Sequence, residues 1–364
     1  MAQSFAALQR AGVPLIDLSI SNPTQAGILL PDPFVYSTLT SGAYEPQARG
    51  ARELREEVCR YYETEFHSVL HPDRILLTTS TSEAYGYCFK LIADPGTTIL
   101  LPQPSYPLLQ FLVEAEGLKA KTYPLHEAAG QWILDRERLC EACDSSTRAI
   151  VLVHPNNPTG HFLSNGDLDW LLDFTRDKYW LICDEVFADY VWSQQPDQIR
   201  SLSQIPADNV FCLSGISKIC ALPQMKLGWI VMPASAAIHH SLELVADTYL
   251  SVSSPIQAAA SQWLSNRALF QSPIRNRCLE NRNSIQASLQ HSPWSLLPVE
   301  AGWAAILQGP STLDEEQKAL ALMEKGFSAH PGFYYDLPFQ PSFVISLLTP
   351  PAHLKDGLAA LIAS

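Results

Sequence analysis

The sequence predicts an α/β fold with two parts. One is a large domain whose mostly parallel sheet is sandwiched by helices, and the other is a smaller α+β domain formed by the N-terminal arm and the C-terminal segment. Three observations carry this. At 364 residues the chain is too long for one small core. Between Ile75 and Met232 short apolar runs alternate with helix-like segments, the rhythm of a sheet with crossover helices. Beyond Pro233 the texture changes to long helical stretches followed by strands. The expected division is residues 1–43 as the arm, 44–250 as the large domain and 251–364 as the small domain.

In chain order, residues 3–12 read as a short helix and Leu15–Ile20 as a strand-like run ending in the turn Ser21-Asn22-Pro23-Thr24. Arg52–Glu65 places Leu54, Val58, Tyr61 and Tyr62 on one side and charges on the other, which is the pattern of an amphipathic helix. Strands are expected at Ile75–Thr78, Ile99–Leu101, Ile150–Val153, Trp180–Cys183, Val210–Leu213 and Gly228–Met232, with a helix through Glu83–Ile92. Helical segments at Ser261–Leu269 and Arg275–Leu289 then lead to Trp294–Leu307, a pair of strands broken at Gly302. A helix at Leu313–Gly326 and a strand at Phe343–Leu348 complete the second domain.

Composition narrows the function classes. Hydrophobic residues make up 47% and charged residues 17%, as in an ordinary globular protein. A formal net charge of −13 without a basic run argues against nucleic acid as a partner. The N-terminal residues lack the pattern of a secretory signal and no apolar stretch reaches membrane-spanning length, so a cytoplasmic location is expected, with no membrane partner. Cys59, Cys88, Cys183 and Cys212 fall in apolar segments that favour buried free thiols. Cys140 and Cys143 form a CxxC, but no second pair or histidine spacing supports zinc, and no metal site is expected.

The residues that bear chemistry follow the predicted strand ends, where open parallel sheets bind ligands. Lys218 comes just after an apolar strand and Ser214-Gly215. An ammonium buried there needs a use, and an imine with a carbonyl cofactor is one; a solvated loop is the ordinary alternative. Ser80-Thr81-Ser82 opens a helix, offering hydroxyls and free amides to a phosphate, although plain helix capping explains the same residues. Tyr106 offers a ring face for stacking or for core packing. In His154-Pro155-Asn156-Asn157-Pro158-Thr159-Gly160, two prolines and a glycine hold the Asn157 amide rigidly at a strand end. Asp184 closes a buried apolar run and needs a partner, for which a pyridinium nitrogen is suited.

In order and separation, NNPTG, the DE after a strand and SGISK resemble the class I/II aminotransferases, fold type I pyridoxal-phosphate enzymes of the aspartate-aminotransferase superfamily. The resemblance runs from SNPT to FVISLLTP. It implies pyridoxal 5'-phosphate as cofactor and amino transfer from an amino acid or amine donor to a keto acid through an aldimine–ketimine cycle. A lyase or decarboxylase on the same scaffold, or a silent cofactor-binding module, are the alternatives. By resemblance Lys218 is the catalytic, cofactor-linked lysine and Asp184 the partner of the ring nitrogen. Asn157 would bond the phenolic oxygen and Tyr106 would stack. Ser80, Thr81, Ser82, Ser217 and Lys226, with Gly215 nearby, would surround the phosphate. Tyr44 matches a tyrosine that reaches the neighbouring subunit's phosphate, which implies a homodimer with shared sites.

Three positions depart from the family pattern. Phe187 stands where a tyrosine usually bonds the phenolic oxygen, and Lys226 stands where an arginine usually holds phosphate. Val344 stands where an arginine usually clamps the substrate's α-carboxylate. Backbone near Asn22 and Gly27, or else Arg49 or Arg52, are the candidate substitutes.

Overall fold

A computed structural model describes residues 10, 12, 14–40, 44–128, 131–193, 198–339 and 341–363. The helix expected over residues 3–12 lies almost wholly outside them. The strands are β1 (Ile16–Asp17), β2 (Ile75–Thr78), β3 (Thr98–Gln103), β4 (Lys119–Ala128), β5 (Gln131–Leu134), β6 (Thr147–Val153) and β7 (Trp180–Asp184). They continue with β8 (Val210–Gly215), β9 (Gly228–Val231), β10 (Ser295–Leu296), β11 (Ala304–Gln308), β12 (Phe327–Ser328), β13 (His330–Pro331) and β14 (Ser342–Ser346). The principal helices are α1 (Arg52–Phe66), α2 (Thr81–Ile92), α3 (Leu108–Ala115), α4 (Asn165–Thr175), α5 (Ala236–Asp247), α6 (Ser254–Ser265), α7 (Ala268–Leu289), α8 (Glu315–Glu324) and α9 (Pro351–Ala363). Among the described residues no helix is long and apolar enough to cross a membrane.

The large sheet runs β2-β9-β8-β7-β6-β3-β4-β5. Its central ladders, from β8 through β7, β6 and β3 to β4, are parallel. The edges are antiparallel, with β9 between β8 and β2 on one side and the β4–β5 hairpin on the other. Because β2 and β8 both oppose β9, they run in the same direction. The carboxyl ends of β2, β3, β6, β7 and β8 therefore share one edge, together with the start of β9 at Gly228. That shared edge is where the site forms.

Both faces of β2, β7, β8 and β9 are buried, which is why these strands read as largely apolar runs. On one face lies α1, whose Leu54, Val58, Tyr61, Tyr62 and Phe66 are buried, as its periodicity predicts. Tyr61 stacks edge-on to Trp229 at 6.0 Å, and the Trp229 indole donates to the Tyr62 hydroxyl at 3.2 Å. On the other face lies α2, with Tyr85, Cys88 and Phe89 buried against Ile99, Phe211 and Ile230.

A second sheet runs β10-β11-β14-β13, all antiparallel. It packs against α7 and α9 in a separate core built on Leu18, Ile274, Ile285, Phe343 and Leu358. A turn between Trp294 and Leu307 is confirmed at Gly302, whose φ of +85° is the left-handed conformation that favours glycine. The arm joins this part through β1, which pairs with β12 in parallel.

Candidate active site

The shared strand edge and the second sheet enclose a cavity of about 490 Å³. Its floor is set by β7 and β8, in register through Asp184 opposite Leu213. Backbone bonds tie the strand ends together, with His154 N–H donating to the Asp184 carbonyl at 2.8 Å and Glu185 N–H to the Leu213 carbonyl at 2.9 Å. After β8 the chain makes one short helical turn, Ile216–Ile219, that carries Ser217 and Lys218 into the cavity wall. The Tyr190 hydroxyl fixes this turn by donating to the Lys218 carbonyl at 2.9 Å. The Lys218 ammonium lies 5.0 Å from the ring centre of Trp303 and 5.4 Å from that of Phe187, close enough for cation–π attraction.

Asp184 is 8% exposed and faces the same cavity. Its carboxylate accepts from the Val186 N–H and the Tyr85 hydroxyl, both at 3.2 Å. Burial raises its pKa to about 6, against the pull of those two bonds and of Lys218. Burial likewise lowers the Lys218 pKa to about 8, against the attraction of Asp184. Each group is thus held in a poorly solvated place and partly stabilised by the other. The adjacent Glu185 points elsewhere. It accepts from the Ser201 hydroxyl and the Leu202 N–H, both at 2.7 Å, and burial brings its pKa to about 7.

Asn157 and Tyr106 line the cavity beside Asp184. Asn156, not Asn157, locks the intervening turn. Its amide donates to the Pro104 carbonyl at 3.3 Å and accepts from the Thr159 hydroxyl at 2.9 Å. Gly160, at φ +69°, allows the turn to meet the second sheet. Its carbonyl accepts from Ala301 N–H at 2.7 Å, and an added Cβ would fall 2.3 Å from the Ala301 carbonyl oxygen.

The three hydroxyls before α2 separate. Thr81 lines the cavity, whereas Ser80 accepts the Glu83 N–H at 3.2 Å as the helix cap and Ser82 is exposed outside the cavity lining. The Glu83 carboxylate reaches back one residue beyond the cap, accepting the Thr79 N–H at 2.6 Å and the Thr79 hydroxyl at 3.1 Å. Lys226 is exposed and ends the turn Pro223–Met225 in the left-handed conformation, and its neighbour Leu227 rather than Lys226 lines the cavity. Tyr44 is 65% exposed and lies with Tyr87 and Ser251 at a separate shallow pocket, so within one chain it does not reach Lys218's cavity.

The candidate carboxylate ligands fall away from the cavity. Asn22 accepts from the Thr24 N–H and hydroxyl at 3.1 and 2.8 Å, and Gly27 is exposed at φ +65°. The arm instead contributes Ser19 and Ser21. Arg49 pairs with Glu243 at 2.6 Å and Arg52 with Glu56 at 2.9 Å, and neither lines the cavity. Val344 does line the cavity, as do Phe187 and four residues that sequence reasoning missed: Trp303, His330, Tyr334 and Tyr335. His330 sits on a strand of two residues, too short to leave a periodic signal.

A donor set of one partly buried lysine, one buried carboxylate, an amide and an aromatic ring around a cavity of this size fits pyridoxal phosphate. The architecture is that of the fold type I pyridoxal-phosphate enzymes. Residues 39–361 match the family model of the class I and II aminotransferases, and the chain belongs to that family, whose members depend on pyridoxal phosphate. It is similar to mouse (Mus musculus) tyrosine aminotransferase, with 32% identity over 227 residues, 60% of this chain and 49% of that protein. The chain spans about half the length of the curated tyrosine aminotransferases it matches. Its fold resembles an aspartate aminotransferase double mutant of Thermus thermophilus (TM-score 0.86, 20% identity, covering 100% of this chain and 94% of that one). It also resembles an alanine aminotransferase of Pyrococcus furiosus (TM-score 0.87, 22% identity, covering 98% and 94%).

Proposed function

We propose that the chain is a cytoplasmic, homodimeric, pyridoxal-phosphate-dependent aminotransferase that moves an amino group from an amino acid or amine donor to a keto acid. The observation that carries this reading is the placement of Lys218 and Asp184 at neighbouring strand ends, facing one cavity. When bound, the cofactor supplies the electron sink that stabilises negative charge at the substrate's α-carbon.

Lys218 would hold the cofactor through its amine, and the same amine would move the proton at the substrate's α-carbon. Asp184 would keep a proton on the ring nitrogen. Asn157 would donate to the phenolic oxygen, alone because Phe187 has no hydroxyl, and Tyr106 would cover the ring face. Thr81, Ser217 and Gly215, which line the cavity, would hold the phosphate, with Ser80, Ser82 and Lys226 as its outer surroundings and Tyr44 reaching it from the neighbouring subunit. The proposed division is residues 1–43 and 251–364 for the small domain and 44–250 for the large one, although Ala259, Ala260, Trp263 and Leu264 of α6 pack in the large-sheet core with Leu54, Val58 and Tyr62 of α1, which argues for a boundary beyond α6.

The test is the absorption spectrum of the cofactor-loaded protein during addition of amino acids and simple amines. Amino transfer shifts the band toward the pyridoxamine form, and a keto acid restores it. Release of carbon dioxide, or of ammonia with pyruvate, would replace this reading with a decarboxylase or lyase.

A further inference from the structure

The cavity wall opposite the sheet edge is made by β13 and β14, and it lacks the expected arginine. His330 is paired directly with Val344 across these antiparallel strands. Residues so paired send their side chains to the same face of the sheet, with Cβ atoms about 5 Å apart. Both line the cavity. The imidazole therefore stands beside the position from which an arginine would reach. Among the described residues lining the cavity, only Lys218 and His330 can carry positive charge.

His330 is oriented. Its Nδ1 lies 3.0 Å from the Tyr335 hydroxyl and its ring packs edge-on to Tyr334 at 5.8 Å. Burial lowers its pKa, against the attraction of Asp17, which favours the neutral form of the free imidazole. One proton lies between Nδ1 and the hydroxyl. The pair retains a second, on Nε2 or on the tyrosine, with which to meet a ligand. The other ionisable groups around it are Asp17 on β1, Tyr334 and Tyr335 on its own turn, and Glu315, Glu316, Lys318 and Glu324 on α8, which packs against β13. Glu315 is engaged by the Phe333 and Ser342 N–H groups at 3.0 and 2.6 Å.

Resting on the aminotransferase reading, we propose that His330, held by Tyr335, receives the substrate's α-carboxylate in place of an arginine, and that the site takes amino acids with uncharged side chains. The carboxylate accepts the outward proton of the pair. Its negative charge then favours uptake of one proton from solvent, converting imidazole to imidazolium. Among the described residues lining the cavity no second cation is left for an acidic side chain, whereas Trp303, Tyr334 and Val344 offer apolar surface.

The experiment is calorimetric titration of the cofactor-loaded protein with 3-phenylpropionate, a carboxylate without an amine, in buffers of different ionisation enthalpy at pH 6 and pH 8. Wild type should bind several-fold more tightly at pH 6 than at pH 8, about tenfold being the ceiling for a one-unit rise in a pKa, with net proton uptake. His330→Gln should lose the His330-dependent part of that uptake and bind at least about tenfold more weakly at pH 6. Tyr335→Phe should show a smaller loss, and succinate should bind no better than 3-phenylpropionate. Retention of the cofactor's absorption band in each variant verifies that the site is intact. If His330→Gln binds and takes up protons as wild type does while amino transfer persists, this inference is overturned and the aminotransferase reading stands. If no donor alters the wild-type spectrum, the aminotransferase reading itself has failed.

Discussion

Asp184 ends β7 and Lys218 lies on the short helical turn that follows the adjacent parallel strand β8, and burial shifts their pKa values toward each other, the acid up to about 6 and the amine down to about 8. At pH 7 both are largely charged, and each is the other's compensating charge across the cavity. The arrangement brings an amine close to its neutral, nucleophilic form without removing the carboxylate that must stay ionised.

This sets the pH dependence of cofactor capture by the cofactor-free protein. The Lys218 pKa is depressed, so the neutral amine accumulates as pH rises and dominates above about 8. Asp184 gains a proton as pH falls through about 6. The rate of pyridoxal phosphate uptake, followed by stopped-flow absorbance, should rise from pH 6 to pH 8 and level off above. A rate independent of pH over that range would contradict the placement of Lys218.

Lys218→Ala should lower amino transfer by at least ~10³-fold, since it removes both the attachment point and the proton carrier. Because the side chain makes no hydrogen bond that holds the fold and its charge is poorly solvated, urea unfolding should change by no more than about 1 kcal/mol. A variant that is unfolded at 25 °C would assign Lys218 a structural role.

Tyr44 is exposed in the single chain and lies outside the cavity, so any action on the phosphate needs a second subunit. Tyr44→Phe should leave the dimer intact by light scattering but release pyridoxal phosphate several-fold faster on dialysis, the effect of one lost hydrogen bond of about 1 kcal/mol. Equal retention would reduce Tyr44 to packing.

Gly215 is required by close backbone approach. A Cβ there would lie 2.7 Å from the Leu227 carbonyl oxygen and 2.8 Å from the Gly228 Cα. Gly215→Ala should destabilise the protein by about 1–3 kcal/mol, because β8 and β9 cannot separate without disturbing the sheet. It should also weaken cofactor binding by displacing Ser217 and Lys218. An unchanged denaturation midpoint would show that the strands accommodate the methyl group.

Much of this organisation was legible before the structure. The strands Ile75–Thr78 and Trp180–Asp184 are visible because both of their faces are buried, and α1 because only one of its faces is. The β4–β5 hairpin is missed because its outer residues alternate with lysines and a histidine on a solvated edge. Lys218, Asp184 and Asn157 follow strand ends, so local sequence places them together once the sheet is read as parallel. His330 could not be found this way. Its two-residue strand enters the site only through pairing with β14, a contact that local pattern does not encode. Ser80 illustrates the converse case, in which a helix cap and a phosphate ligand use the same residue type.

The most direct test of the central claim is to load the protein with pyridoxal phosphate, reduce it with borohydride and map the modified peptide by mass spectrometry. Reduction fixes the cofactor to whichever amine holds it. The account predicts one adduct per chain, on Lys218, and none in Lys218→Ala. An adduct on Lys226 or another surface lysine, or no adduct at all, would contradict it.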